Sequence, residues 1–206
     1  KRALEDEEMR KVFGRLPELP EVTPDLRHAQ NLFILMFLLR GLPFVDLAYL
    51  RKSDLRDNVI TYRRRKTGRS LSVTLAPEAM VLLRRYMDRN ESSPYLFPIL
   101  SSDEGTEEAY REYQLALRSF NQKLMLLGKL MGMEGKLSSY TARHTWATTA
   151  YHCEIHPGII SEAMGHSSIT VTETYLKPFK NKKIDEANVM VFSSFRKSFS
   201  VGNYLN

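Results

Sequence analysis

Three side chains late in the sequence are of types suited to phosphodiester chemistry. They are Arg143 in Tyr140-Thr141-Ala142-Arg143-His144, His166 in Met164-Gly165-His166-Ser167-Ser168, and Tyr175. A guanidinium fork can hold two phosphate oxygens. An imidazole can donate a hydrogen bond or move a proton. A phenol oxygen can attack and form a covalent intermediate. Tyr140 lies one helical turn before Arg143, so both can face one site. Adjacent helical residues do not share a face, so His144 reads as a packed structural histidine. Each signal has a plainer explanation when taken singly. Gly-His-Ser-Ser is also the pattern of a helix stop followed by a serine cap, and most tyrosines at helical spacing are half-buried core.

A second basic feature lies upstream. Arg51, Lys52, Arg56, Arg63, Arg64, Arg65, Lys66 and Arg69 face only Asp54 and Asp57 over the same stretch. Arg64 to Arg69 sit between two strand candidates, Val59-Ile60-Thr61-Tyr62-Arg63 and Leu71-Ser72-Val73-Thr74-Leu75. They form the tip of a hairpin with Gly68 in the turn. Such a tip suits the phosphates of a nucleic-acid groove, with Arg63, Arg64, Arg65 and Arg69 as contacts. A solvated charged turn has the same composition.

The elements that must position these groups are mainly helical. Thr23-Pro24-Asp25 is a helix start, with a capping hydroxyl and proline at the first helical position. The helix continues through the apolar run Leu32–Leu39, which surrounds its axis, and Gly41 stops it. Pro43 opens a second helix to Leu50. Pro77 opens a third, to about Arg89. The longest helix runs from about Thr106 to Met131, with Tyr113, Ala116, Leu117, Phe120, Leu124 and Leu127 on one face. Shorter helices follow: Thr141 to Tyr151, Pro157 to Gly165, and one capped by Ser167 or Ser168 through Tyr175 to Lys177. Lys182 to Phe192 is an amphipathic helix with Ile184, Ala187 and Val191 inward. Helices and strands are segregated, so the fold class is α+β, mainly α-helical, with a small antiparallel sheet.

The 206 residues, 43% hydrophobic and 26% charged, suit one globular domain with a substantial core. The formal net charge of +6 and a pI near 9.4 favour a phosphate-rich partner. A single cysteine, Cys153, excludes an internal disulfide and a cysteine-based metal cluster and fits a reducing cytoplasm. No apolar run is long enough to cross a bilayer. The chain opens on Lys1, which reads as a piece of a longer protein with a domain upstream. The expected organisation is a connecting segment at 1–22, one domain at 23–192 and a tail at 193–206.

Arg143, His166 and Tyr175 occur in order at close intervals, with Lys66 in a hairpin before them. This combination resembles the tyrosine recombinase (phage integrase) family. That family carries an H-x-x-R-H box, then L-G-H-S-S with a threonine-rich run, then a nucleophilic tyrosine nine residues after the histidine. Here Tyr140 to His144, then Met164-Gly165-His166-Ser167-Ser168-Ile169-Thr170, then Tyr175 correspond, with the same interval from His166 to Tyr175. Arg40-Gly41-Leu42-Pro43-Phe44-Val45-Asp46-Leu47-Ala48-Tyr49-Leu50-Arg51, followed by Tyr62 to Gly68, is similar to integrases of Bacteroides-type mobile elements. Two positions depart from the pattern. The first box, usually G-L-R-x-x-E, has Pro43 where the first catalytic arginine belongs, while Asp46 matches the acidic position. Arg40, three residues upstream, is a candidate replacement; as a helix C-terminal cation it has a simpler use. Tyr140 stands where histidine is common, and it is a poor base near neutral pH.

The resemblance implies a recombinase catalytic domain acting on double-stranded DNA, without metal, ATP or other cofactor. Tyr175 would form a 3′-phosphotyrosyl bond. Arg143, with Arg40 as the candidate second fork, would grip the phosphate, and His166 and Tyr140 would complete the site. Lys66 would enter the minor groove from a flexible hairpin tip and protonate the leaving oxygen, and Asp46 would support a neighbouring cation. It further implies a tetramer on two duplexes, a monomer for the isolated piece, docking of Lys182–Phe192 onto a neighbour, no membrane, and a bacterial cytoplasm. Three other readings stay open: an integrase-like DNA-binding protein that has lost its chemistry, a type IB topoisomerase-like enzyme, and a helical adaptor with a basic surface.

Overall fold

A computed structural model describes residues 3–14, 16, 20, 22–176 and 181–195. The chain divides into two compact units, 1–175 and 176–206. The first holds α1 (Asp6–Phe13), α2 (Pro24–Leu38), α3 (Phe44–Tyr49), β1 (Leu55–Arg56), β2 (Val59–Arg63), β3 (Ser70–Thr74), α4 (Pro77–Tyr86), α5 (Glu107–Leu130), α6 (Ser139–His152), α7 (Pro157–Met164) and α8 (Ile169–Glu173). The second contains α9 (Asn181–Phe195).

Helix α2 is the hub. Thr23 caps it by accepting from the Leu26 amide, with Pro24 at the first position. Phe33, Leu35 and Met36 are fully buried, and α1, α4, α5 and α6 all pack on it. Described residues ahead of Thr23 belong to this core as well. Val12, Leu16 and Val22 are buried, and Gln30 donates to the carbonyls of Val12 and Gly14. On α5, Phe120, Leu124 and Leu127 are buried on the expected face, with Tyr113, Ala116 and Leu117 partly buried beside them.

The sheet is antiparallel, in order β1-β2-β3, with Ile60 opposite Val73 and Arg63 opposite Ser70. Ile60, Tyr62 and Arg64 are buried while Thr61, Arg63 and Arg65 are exposed, so the period-2 alternation of the strand continues into the turn.

Two glycines let chain segments meet. Gly41 has φ +68, and a Cβ there would lie 2.7 Å from the Cα of Arg143. Gly165 has φ +63, and its Cβ would lie 3.0 Å from both Arg64 Cγ and Leu71 Cδ1. The first draws α6 onto the α2–α3 turn; the second draws the hairpin root onto the α7–α8 turn.

Two expectations change here. Helix α8 ends at Glu173, so Tyr175 stands in the turn that follows, its amide donating to the Thr172 carbonyl at 2.9 Å. In α9, Ile184, Ala187 and Val191 are exposed rather than inward. Lys177 and the tail from 196 lie outside the described residues.

Candidate active site

Arg143 is buried on α6, and two of its five N–H groups are engaged at carbonyls. Nη1 donates to Gly41 at 2.9 Å and Nη2 to Met164 at 2.7 Å. Arg64 reaches the same Met164 oxygen from the hairpin side, with Nη1 at 2.7 Å. Its Nε forms an ion pair with Asp46 Oδ2 at 2.7 Å, and both side chains are nearly inaccessible. The other oxygen of Asp46 accepts the Arg65 amide at 2.9 Å. Two guanidiniums thus meet at one carbonyl, with one carboxylate as their counter-charge. Burial, and then the charge of Arg64, holds the Arg143 guanidinium below its ordinary pKa. Burial pulls Asp46 upward, against Arg64 and the Arg65 amide.

Tyr175 lies against this pocket among aromatic rings. Its hydroxyl is 2.6 Å from that of Tyr140. The ring of His144 is 4.4 Å away and that of His166 is 5.1 Å away, centre to centre. His144, expected to face elsewhere, backs the Tyr175 ring, because Tyr140 and His144 are one turn apart on the same face of α6 while Arg143 turns toward Gly41. Partial burial and the bond to Tyr175 push Tyr140 up to about 12, so its hydroxyl keeps its proton at neutral pH.

His166 is 4% exposed. Its Nδ1 shares a hydrogen bond with the buried Thr172 hydroxyl at 2.8 Å, and its Nε2 has no hydrogen-bond partner among the described residues. Burial, followed by the charges of Arg143, Arg64, Lys66 and Arg69, holds the imidazole down to about 4. It is therefore neutral at pH 7, with one ring nitrogen left for an incoming group.

The hairpin tip is fastened, not loose. Thr67 Oγ1 donates to the Gly165 carbonyl at 3.1 Å, and Arg69 Nη2 to that of Ser167 at 3.3 Å. The turn closes on itself through Gly68 to Arg64 and Arg64 to Arg69, both 2.8 Å. These bonds hold Lys66 on the side of the molecule where His166 lies, and its own side chain stays exposed. Arg63 and Arg65 are also exposed. Arg64, expected as a groove contact with them, is only 5% exposed, because its pairing with Asp46 draws it inside, toward Arg143 and away from the exposed tip. The alternation Ile60, Tyr62, Arg64 was the signal for that.

Arg40 has φ +59, an uncommon conformation for a residue with a Cβ. Its Nη1 donates to the Ser72 carbonyl of β3 at 3.3 Å. The place beside Arg143 is taken by Arg64. Among the described residues, no group of three or more His, Cys, Asp or Glu could hold a metal ion. No helix among the described residues is long and apolar enough to cross a membrane.

Residues 6–182 match the model of the phage integrase family. This chain belongs to the phage integrase family. It is 25% identical over 179 residues to the tyrosine recombinase XerA of Pyrococcus furiosus, covering 85% of this chain and 57% of that protein. It is 29% identical over 111 residues to the tyrosine recombinase XerC of Leptospira interrogans, covering 53% of this chain and 33% of that one. The chain therefore spans little more than half of the first relative's length. Two solved structures share the fold. One is the XerH site-specific recombinase bound to its difH substrate before cleavage, with a TM-score of 0.62, 19% identity, and coverage of 91% of this chain and 54% of that one. The other is the Tn1549 transposon integrase with transposon right-end DNA, with a TM-score of 0.62, 16% identity, and coverage of 93% and 65%. The mainly helical α+β architecture expected for this integrase-family chain is the one found.

Proposed function

We propose that this chain is the catalytic part of a site-specific DNA recombinase or integrase of a mobile element, and that Tyr175 is its nucleophile. The observation that carries the reading is the meeting of Arg64 and Arg143 at the Met164 carbonyl, beside the Tyr175 turn. The similarity to recombinases and a transposon integrase solved with DNA supports double-stranded DNA as the substrate.

The Tyr175 oxygen attacks the scissile phosphorus, the bond to the 5′ oxygen breaks, and a 3′-phosphotyrosyl ester and a free 5′-hydroxyl result. Attack by a 5′-hydroxyl from a partner strand reverses the step. One phosphodiester replaces another, so no ATP is consumed. Charge gathers on the non-bridging oxygens, where preorganised cations act most strongly. Arg143 is one fork. Arg64 is the second and takes over the duty absent at Pro43, while Asp46 fixes its angle. Neutral His166 offers Nε2 to the phosphate or to the tyrosine proton. Lys66 protonates the departing 5′ oxygen. A tetramer on two duplexes is the assembly in which strands exchange.

The test is a nicked duplex carrying the element's end, from which the downstream strand diffuses away after cleavage. The parent chain should accumulate a covalent adduct, and Tyr175→Phe should bind the duplex yet form none. An undiminished adduct in Tyr175→Phe would sink the nucleophile assignment. A DNA-binding protein without chemistry is the second reading, favoured by Pro43 and by the engagement of Arg40 at Ser72. It predicts binding with no adduct in either chain.

A further inference from the structure

An exposed acidic side chain reaches the basic hairpin from outside it. Glu104, in the loop before α5, spans two arginines that are far from it in sequence. Its Oε2 lies 2.7 Å from Arg51 Nη2, and its Oε1 pairs with Arg65 Nη1 at 2.5 Å. We propose that Arg51 and Arg65 form a seat for a DNA backbone phosphate, and that Glu104 occupies this seat in the free chain as a built-in competitor. The proposal rests on the reading that the chain binds DNA.

Three observations support it. First, the geometry is that of an oxyanion held by two donors. Each carboxylate oxygen takes one guanidinium, as the two non-bridging oxygens of a phosphodiester would. Second, the seat is fixed before any ligand arrives. The Arg65 guanidinium lies 3.7 Å over the Tyr49 ring, and its backbone amide is tied to Asp46. Arg51 is held by its own amide, which donates to Asp54 at 2.8 Å, and by a backbone bridge to Tyr95. Third, the three side chains remain reachable, Arg51 at 46%, Arg65 at 36% and Glu104 at 33% exposure. Ion pairs this exposed add little to folding, so exchanging the carboxylate for a phosphate costs the fold little.

The site's place in the chain gives it a use. Arg65 directly precedes Lys66, so a phosphate seated there fixes the register of the backbone relative to the leaving-group lysine. Glu104 makes that seat conditional. DNA must displace the carboxylate, which a well-registered backbone does and a loosely held one does not. Hydrogen bonds from Arg51, then from Arg65, hold the Glu104 carboxyl below the usual carboxylate range, so it stays charged and competes throughout neutral pH.

The experiment is duplex binding by fluorescence anisotropy across a salt series, with the chain as it stands and with Glu104→Gln. Removing the competing charge should tighten binding to unrelated duplex by about fivefold at low salt. It should also steepen the dependence of log K on log salt by roughly one. Adding Arg51→Ala and Arg65→Ala to Glu104→Gln should erase both gains. Equal or weaker binding by Glu104→Gln, with an unchanged slope, overturns the proposal and leaves Glu104 as a brace for the hairpin. Glu104→Asp, too short to span both guanidiniums, should fall between parent and Glu104→Gln, and a value at or below the parent counts against the proposal. Covalent attachment to nicked DNA is read in parallel. If the parent forms the adduct while Glu104→Gln gains nothing, only this inference fails; if the parent neither binds nor reacts, both readings fall.

Discussion

Arg64 and its neighbours Arg63 and Arg65 occupy one short stretch of hairpin, yet they live in different solvents. Arg64 is buried, ion-paired and aimed at the same carbonyl as Arg143. Arg63 and Arg65 stand at the surface, Arg63 bonded to its own turn and Arg65 stacked on Tyr49 and paired with the exposed Glu104. A guanidinium held without water, in a fixed direction, acts strongly on charge that develops in a reaction. One held at the surface is screened by salt and acts mainly on docking. On the proposed reading, burial more than residue type separates the cations of chemistry from the cations of binding.

The sharpest way to break this comparison is to remove the buried forks. Arg143→Ala should slow single-turnover cleavage by roughly a thousandfold while duplex binding weakens little, because most of its value is in the transition state. A parallel loss in binding would mean that it only docks DNA. Arg64→Ala should add a cost in folding. It strands a buried carboxylate at Asp46, a change worth about 3–5 kcal/mol, readable in urea denaturation. Equal stability of Arg64→Ala and parent would contradict the burial of that pair.

Lys66 lies between the two classes, since it is exposed but held by a fastened turn. Lys66→Ala should lose roughly a hundredfold in cleavage. Most of that should return on a substrate with a 5′-bridging sulfur, which leaves without a proton. No recovery would move Lys66 to docking alone.

His166 tests the burial side by pH. Its folded pKa, about 4, lies below the ordinary 6.5, so the folded chain resists its protonation. The contribution to stability is whole above pH 6.5 and is lost as pH falls from there toward 4. It amounts to at most about 3 kcal/mol. His166→Gln should flatten the stability curve over that window, and an unchanged curve would put the imidazole in contact with water. At the small end, Arg63→Ala should change cleavage less than about threefold and lower the salt slope of binding by no more than roughly one.

Much of the fold is legible in the chain because local chemistry and burial agree there. Thr23-Pro24 starts α2, Gly165 stops α7, and the apolar face of α5 turns inward. The candidate site was legible only as residue types and spacing. Of the proposed site residues, Arg143, His166 and Tyr175 stand out by type and interval, and Lys66 gains meaning only beside them. What the sequence could not display was the partner of Asp46. The candidate replacement for the arginine absent at Pro43 was Arg40, its neighbour in sequence, with a helix C-terminal cation as the alternative use. Yet the residue beside Arg143 comes from the hairpin, where strand alternation carries Arg64 inward after Ile60 and Tyr62. Reading Arg63-Arg64-Arg65 as a uniform charged tip hid that alternation. The tip is also fastened by Thr67 and Arg69 to carbonyls about a hundred residues away, contacts that no local pattern encodes.

The most direct measurement compares Arg64→Lys with Arg40→Ala in single-turnover cleavage of nicked duplex at saturating protein. Arg64→Lys keeps a charge for Asp46 but loses the planar fork. If the buried pair grips the phosphate, Arg64→Lys slows adduct formation by roughly a hundredfold and Arg40→Ala by less than about threefold. The reverse order, with Arg40→Ala crippled and Arg64→Lys near the parent, contradicts the account and returns the second fork to Arg40.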